Sequence, residues 1–178
     1  MKQTINILTE KVINQIAAGE VIQRPSSVVK ELLENSIDAK AKNIHLIIKK
    51  SGKNLIKIID DGIGMNKEDA EICFLKHSTS KIEYTQDITS INTMGFRGEA
   101  LASIASIAEV ELKTKTQSQD TGTLIHIDNS KIKKNTEIAM KTGTYVAVKN
   151  LFFNIPARKK FLKSDQIENK HILDTFSQ

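Results

Sequence analysis

Glu31, Asn35 and Asp38 stand four and three residues apart within Glu31-Leu32-Leu33-Glu34-Asn35-Ser36-Ile37-Asp38-Ala39. At ~100° per helical residue they share an arc of about 60°. Val28, Val29, Leu32, Leu33 and Ile37 fill the opposite half, so the segment reads as a helix with one packed face and one polar face. A carboxylate and an amide one turn apart can hold a water and an oxygen-loving cation side by side, as hydrolysis of a phosphoanhydride requires. On their own, three such residues are more often a solvated stripe, because charged side chains are mostly exposed. The neighbouring segments decide between the two readings.

Asp60-Asp61-Gly62-Ile63-Gly64-Met65 follows an apolar, β-branched run. A carboxylate at a strand end can accept a hydrogen bond from an exocyclic amine, and the glycines let backbone approach a flat ring such as adenine. The same string is also an ordinary turn, since Asp and Gly favour turns. Calcium is a weaker reading, as the loop lacks the regular acidic spacing of an EF-hand. Downstream, Gly95-Phe96-Arg97-Gly98-Glu99-Ala100-Leu101 brings glycines and an arginine to an expected helix start, where free N–H groups and the helix dipole can cradle phosphate. Thr79, Ser80 and Lys81 supply two hydroxyls and a cation in a preceding loop, a suitable lid. Against these stand plainer roles: Arg97 as a surface charge, and His77 as a hydrogen-bonded structural residue. The chain has no Gly-x-x-x-x-Gly-Lys-Ser/Thr string, which excludes a Walker-type loop. Its four histidines have no spacing to Cys73 that suggests zinc.

The elements that must position these residues alternate in period. Val12, Ile13, Ile16 and Ala17 recur at helical spacing until Gly19, and Pro25 suits the first turn of a second helix. Ile44, Leu46 and Ile48 alternate, Ser51-Gly52-Lys53 offers a turn, and Leu55 to Ile59 completes a hairpin. Asn66 with Asp69 predicts a capped helix through Leu75, and another helix follows Gly98. Strands are expected at Val110 to Thr114, Thr123 to Ile127 and Thr144 to Val148, with a last helix from about Asp165. Residues 113–122 and the Lys131-Ile132-Lys133-Lys134 cluster read as solvated hairpin edges. Hairpins separated by helices predict an α+β two-layer sandwich.

Composition sets looser bounds. The 178 residues, 39% hydrophobic and 26% charged, suit one domain with a real core. The net charge of +5 permits contact with nucleic acid without demanding it. A single cysteine, Cys73, forbids an internal disulfide and favours a reducing compartment. No apolar run approaches the ~20 residues of a membrane span, and Met1-Lys2-Gln3-Thr4 does not open a signal segment. The expectation is a soluble, cytoplasmic protein without membrane contact.

The ordered strings ELLENSIDA, DDGIGM, HSTSKI, GFRGEALASI and GTYVAVKNLFFNIPARKKFL resemble the N-terminal ATPase domain of the MutL family of DNA mismatch-repair proteins. That family belongs to the ATPase superfamily of gyrase, a heat-shock chaperone and histidine kinases. INQIAAGEVIQRPSSVVKEL and NIPARKKF separate the mismatch-repair branch from those relatives. Asp61, where Asn is also common, and Met65, where Ile often sits, are small departures.

The resemblance implies a mixed, mostly antiparallel sheet with helices on one face, and a role for each matching residue. Glu31 matches the general base that orients the attacking water, and Asn35 the ligand of magnesium beside the three phosphates of ATP. Asp60 matches the adenine-reading carboxylate and Gly64 its close-approach partner, with Asp38, Ala39, Gly62 and Met65 in the same pocket and Thr144 at its back. Gly95, Phe96, Arg97, Gly98, Ala100 and Leu101 correspond to the phosphate lid, with Thr79, Ser80 and Lys81 as its other half. Residues 1–178 would form the ATP-binding domain and 1–22 an arm through which two copies close as a homodimer when ATP binds. Mismatch-recognition proteins, downstream repair proteins and DNA are the implied partners. A second domain whose lysine reaches the γ-phosphate, and a dimerisation domain, are expected beyond Gln178, so the chain reads as a fragment with little activity alone. Ile172 to Phe176 would then leave part of an apolar face uncovered. A different reading is a nucleotide-gated or DNA-contacting scaffold without turnover, supported by net charge and by Arg158, Lys159, Lys160 and Lys163; a positioned Glu31 argues for turnover instead.

Overall fold

The computed structural model describes residues 6–76, 78 and 98–177. In chain order the elements are α1 (Glu10–Val21), α2 (Pro25–Asp38), β1 (Ile44–Lys49), β2 (Leu55–Asp60), α3 (Lys67–Ile72), α4 (Ala100–Ile107), β3 (Glu109–Lys115), β4 (Gly122–Asp128), β5 (Lys131–Ile138), β6 (Gly143–Lys149), α5 (Pro156–Phe161) and α6 (Asp165–Phe176). The strands form one six-stranded sheet in the order β1-β2-β6-β3-β4-β5, every neighbouring pair antiparallel. The last strand in sequence therefore lies near the centre, between the β1–β2 hairpin and the β3–β4–β5 meander.

Alternation along the strands gives the sheet two unlike faces. Ile56, Ile58, Val110, Leu112, Ile125, Ile127, Val146 and Val148 point to one side and are buried under the helices. The other side carries Lys57, Tyr145, Lys113, Glu111 and Lys149, with Tyr145 between two lysine ammonium groups at 5.2 and 4.6 Å from its ring centre. The result is the expected two-layer α+β sandwich. α2 lies on β2, α4 on β3 and β4, while α1 packs on α4 and α6 on α2. Buried Val28, Val29 and Leu32 from α2 and Ile104 and Ile107 from α4 meet the sheet, each large side chain contributing about 1.5–3 kcal/mol by leaving water.

Local details follow the residues. Asn66 Oδ1 caps α3 by accepting from the Asp69 N–H at 2.7 Å, though the helix stops at Ile72 rather than Leu75. β5 is the edge strand that the solvated-hairpin-edge reading of its lysines expected: exposed along almost its whole length, it is held by its ladder to β4 and by the Asn135 side-chain amide, which donates to Glu71 of α3 at 2.7 Å. α1 runs past Gly19 to Val21, and Arg158 occupies the space where a side chain would stand at residue 19. In α6, Ile172 is fully buried against α2, while Leu173 and Phe176 are exposed. Among the described residues no helix is long and apolar enough to cross a membrane.

Candidate functional site

The C-terminal half of α2 and the loop after β2 are bonded into one unit. The Ser36 hydroxyl reaches Asp60 Oδ2 at 2.9 Å and also lies 3.1 Å from the Leu32 carbonyl. The Ile63 N–H donates to the carbonyl of Ala39 at 3.0 Å. At ~100° per residue Ser36 falls between Leu32 and Val29 on the packed face, and it is 3% exposed. Ile37, expected on that face, lies ~80° beyond Val29 and is 51% exposed. The helix thus gives its innermost place near this end to a hydroxyl rather than to an alkyl group. Glu31, Asn35 and Asp38 lie on the other side of α2 and are half-buried, each engaged in an interaction.

Asp60 ends β2 on the buried face of the sheet, paired with Thr144 of β6. Its Oδ1 accepts the Gly62 N–H at 3.0 Å, an Asx-type turn. Burial pushes its carboxyl above the usual range; the Gly62 amide, the Ser36 hydroxyl and the Thr144 backbone oppose this, and the charge of Asp61 adds to it. A carboxylate has about four acceptor positions, so Gly62, Ser36 and the Thr144 backbone leave acceptor capacity for a ligand.

The glycines here are steric requirements. A Cβ on Gly62 would stand 2.7 Å from the Ala39 carbonyl oxygen. Gly64 has φ +69° and a Cβ there would collide with the Lys115 carbonyl. Close approach therefore serves packing of the loop against α2 and the end of β3, a job the turn reading had not included. Met65, partly buried against the core, donates its N–H to Thr114 Oγ1 at 2.8 Å. Asp61 turns outward: its Oδ1 accepts the Lys42 and Asn43 N–H groups at 2.7 and 2.8 Å, and its Oδ2 the Asn43 side chain at 2.7 Å. These bonds hold its carboxyl down at about 2. It is a clip for the α2–β1 connection.

Asp60, Gly62, Gly64, Met65, Ala39 and Thr144 are thus brought together, with α2 bonded alongside. Gly98, at φ +61°, precedes α4, whose first residues Ala100 and Leu101 are half-buried, Leu101 against the core. His77, Thr79, Ser80, Lys81, Gly95, Phe96 and Arg97 lie outside the described residues. Arg158, one of the basic residues behind the scaffold reading, donates to the carbonyls of Gly19 and Ile22, both at 3.1 Å, and stacks over Phe152, capping α1. Burial, with the charge of Asp69 beside it, pushes the Cys73 thiol up to about 12, which disfavours its thiolate. Sequence reasoning missed Ser36 and Thr114; both betray themselves as hydroxyls on apolar faces, Thr114 as the next inward residue after Val110 and Leu112.

Residues 23–160 match the family described as histidine kinase-, DNA gyrase B- and HSP90-like ATPase. This chain belongs to that ATPase family. Within it, the chain is 55% identical over its full length to a DNA mismatch repair protein MutL of Christiangramia forsetii and 56% identical to that of Flavobacterium johnsoniae. It spans only 29% and 28% of those proteins. The structure resembles a MutL ATPase domain of Aquifex aeolicus complexed with ADP, with a TM-score of 0.70 and 34% identity, over 88% of this chain and 54% of that one. The six-stranded antiparallel sheet with helices is therefore the ATPase fold of that family, in its MutL-like form.

Proposed function

We propose that this chain is the nucleotide-binding part of an ATP-driven mismatch-repair switch. The observation that carries the reading is the Ser36–Asp60 hydrogen bond, which ties the helix of Glu31 and Asn35 to the Asp60–Met65 loop. Asp60 would accept from the adenine amine, with Gly62, Gly64, Met65, Asp38 and Ala39 shaping the pocket and Thr144 behind it. The phosphates would lie toward Gly98, Ala100 and Leu101 together with Thr79, Ser80, Lys81, Gly95, Phe96 and Arg97.

In hydrolysis, Glu31 holds the attacking water and takes its proton as the oxygen bonds to the γ-phosphorus. The bond to the bridging oxygen breaks, its electron pair leaves with ADP, and phosphate is released. Asn35 suits magnesium: its neutral carboxamide oxygen is a hard donor, and magnesium commonly takes one or two protein ligands, several waters and phosphate oxygens. Among the described residues no group of three His, Cys, Asp or Glu could form a carboxylate cage, so the donor set fits a metal held mainly by its nucleotide. When bound, magnesium neutralises phosphate charge.

Turnover belongs to the longer protein, in which residues 1–22 act as an arm that closes a homodimer on ATP binding. That closure would pass a mismatch signal to repair proteins acting on DNA. The exposed Val12, Ile13 and Ile16 of α1 support an arm with an apolar partner. Calorimetry of the chain with ADP, GDP and a non-hydrolysable ATP analogue tests the reading. Saturable, magnesium-dependent binding that prefers adenine is expected; equal, weak binding of ADP and GDP would refute it.

A further inference from the structure

We infer that Thr114, a residue with no ligand contact assigned to it, is a positioning residue that sets the purine preference of the pocket. The inference rests on the nucleotide reading above. Thr114 is fully buried at the end of β3. Its Oγ1 accepts the Met65 N–H at 2.8 Å and lies 3.2 Å from both the Gly143 carbonyl and Thr144 Oγ1. One hydroxyl thus joins three pieces of backbone: the glycine loop, β3 and the start of β6. Gly143 itself has φ +129° and backs directly onto the Asp60 carbonyl, so the same junction also fixes Asp60 from behind.

A hydroxyl has one proton and two acceptor positions. If Thr114 donates to the Gly143 carbonyl, its two acceptor positions take the Met65 N–H and the Thr144 hydroxyl proton. Every group at the junction is then satisfied, and Thr144 Oγ1 can meet a purine only as an acceptor. If Thr114 donates to Thr144 instead, the Thr144 proton is free to point into the pocket, but the Gly143 carbonyl loses its Thr114 partner. Thr114 therefore decides whether Thr144 offers the purine a donor or an acceptor. Adenine and guanine differ in the donor and acceptor groups on their ring edges, so this choice acts on selectivity as well as on loop position.

Thr114→Val keeps the volume and removes the hydroxyl, while Thr114→Ser keeps it. With ADP and GDP as probes and this whole chain as the protein, Thr114→Val should weaken ADP binding by roughly tenfold and shrink the ADP-to-GDP preference. Thr114→Ser should restore both to within about twofold of the parent, a rescue expected if the hydroxyl rather than the methyl matters. Hydrogen exchange at the Met65 amide should speed up in the valine variant alone. If Thr114→Val does not melt cooperatively, Thr114→Cys, with a weak S–H donor of similar size, carries the comparison. A parent that shows no ADP preference overturns the nucleotide reading and this inference with it. A parent that prefers ADP, with a valine or cysteine variant that keeps the full preference, overturns this inference alone.

Discussion

Asp60→Asn separates binding from folding at one atom pair. In the parent, Asp60 accepts from the Gly62 amide at 3.0 Å and from the Ser36 hydroxyl at 2.9 Å. An asparagine can keep both contacts: its Oδ1 accepts the Gly62 N–H, and its NH₂ donates to Ser36 Oγ, whose proton then goes to the Leu32 carbonyl 3.1 Å away. The folded chain therefore loses little. The ligand loses more, because the amide now opposes the adenine amine with a donor or a weaker acceptor. A penalty of about 1–3 kcal/mol raises the dissociation constant roughly 5- to 150-fold. Linkage sharpens the contrast. Burial raises the Asp60 pKa in the folded state, so the unfolded chain releases this proton more readily, and stability from this group falls as pH rises from the ordinary carboxylate range through the folded value. Asparagine removes that loss, so the variant without nucleotide should melt no lower than the parent at neutral pH, and its melting point relative to the parent should rise from acid to neutral pH. Calorimetry with ADP and GDP, beside thermal melts across that range, makes the measurement. Parental ADP affinity and selectivity in the variant would refute the adenine assignment, and a large fall in neutral melting point would refute the rearranged hydrogen bonds.

Glu31→Ala in the full-length protein should cut ATP hydrolysis by about 10²- to 10⁴-fold with affinity nearly unchanged, read from steady-state turnover beside analogue binding. Asp61 has its pKa lowered to about 2, so the stability it contributes is complete above the ordinary carboxylate pKa and is lost as pH falls from there through about 2; Asp61→Ala should therefore flatten the acid limb of the melting curve, and an unchanged limb would remove the clip. Gly64→Ala forces a side chain onto a backbone at φ +69° and into the Lys115 carbonyl, costing about 1–3 kcal/mol for the conformation alone; denaturant melts should show the loss, with ADP binding reduced as well. Arg158→Ala removes two charged hydrogen bonds to the end of α1, so amide exchange in residues 10–22 should accelerate while β2 and β6 keep their protection.

Much of this was legible because the chain repeats its physics locally. Alternation at Ile44, Leu46 and Ile48 gave β1, and Asn66 with Asp69 gave the start of α3, since each signal lies within a few residues of what it specifies. β5 was legible as a solvated hairpin edge but not as a strand of eight residues: Lys131, Lys133, Lys134 and Glu137 are exposed, so its length is set by the ladder to β4 and not by an apolar period. α5 offers six residues, none of them buried, so it has no apolar period to find. The site shows the same division. Asp60, Gly62 and Gly64 announce a special loop, but the work of Ser36 and Thr114 depends on which atoms lie across the fold. A hydroxyl on an apolar face was the visible signal, and Ile37 drew attention away from it by looking like the better core residue.

The central position of β6 bears on how this molecule comes into being. Before residues 143–149 leave the ribosome, the β1–β2 hairpin and the β3–β4–β5 meander are two separate ribbons, each with an open edge. Among the described residues no pairing joins them except through β6, so these strands can close into one sheet only once β6 is available, with long loops drawn together at that step. A nascent chain stalled short of this strand exposes two sticky edges at once, a hazard for aggregation that vanishes when a few more residues appear. Asp60, Thr144 and Thr114 sit side by side on β2, β6 and β3, across the seam itself. A nucleotide held there would act as a staple on a newly closed sheet, so the cell's supply of ATP would bear on whether young copies of this domain stay shut.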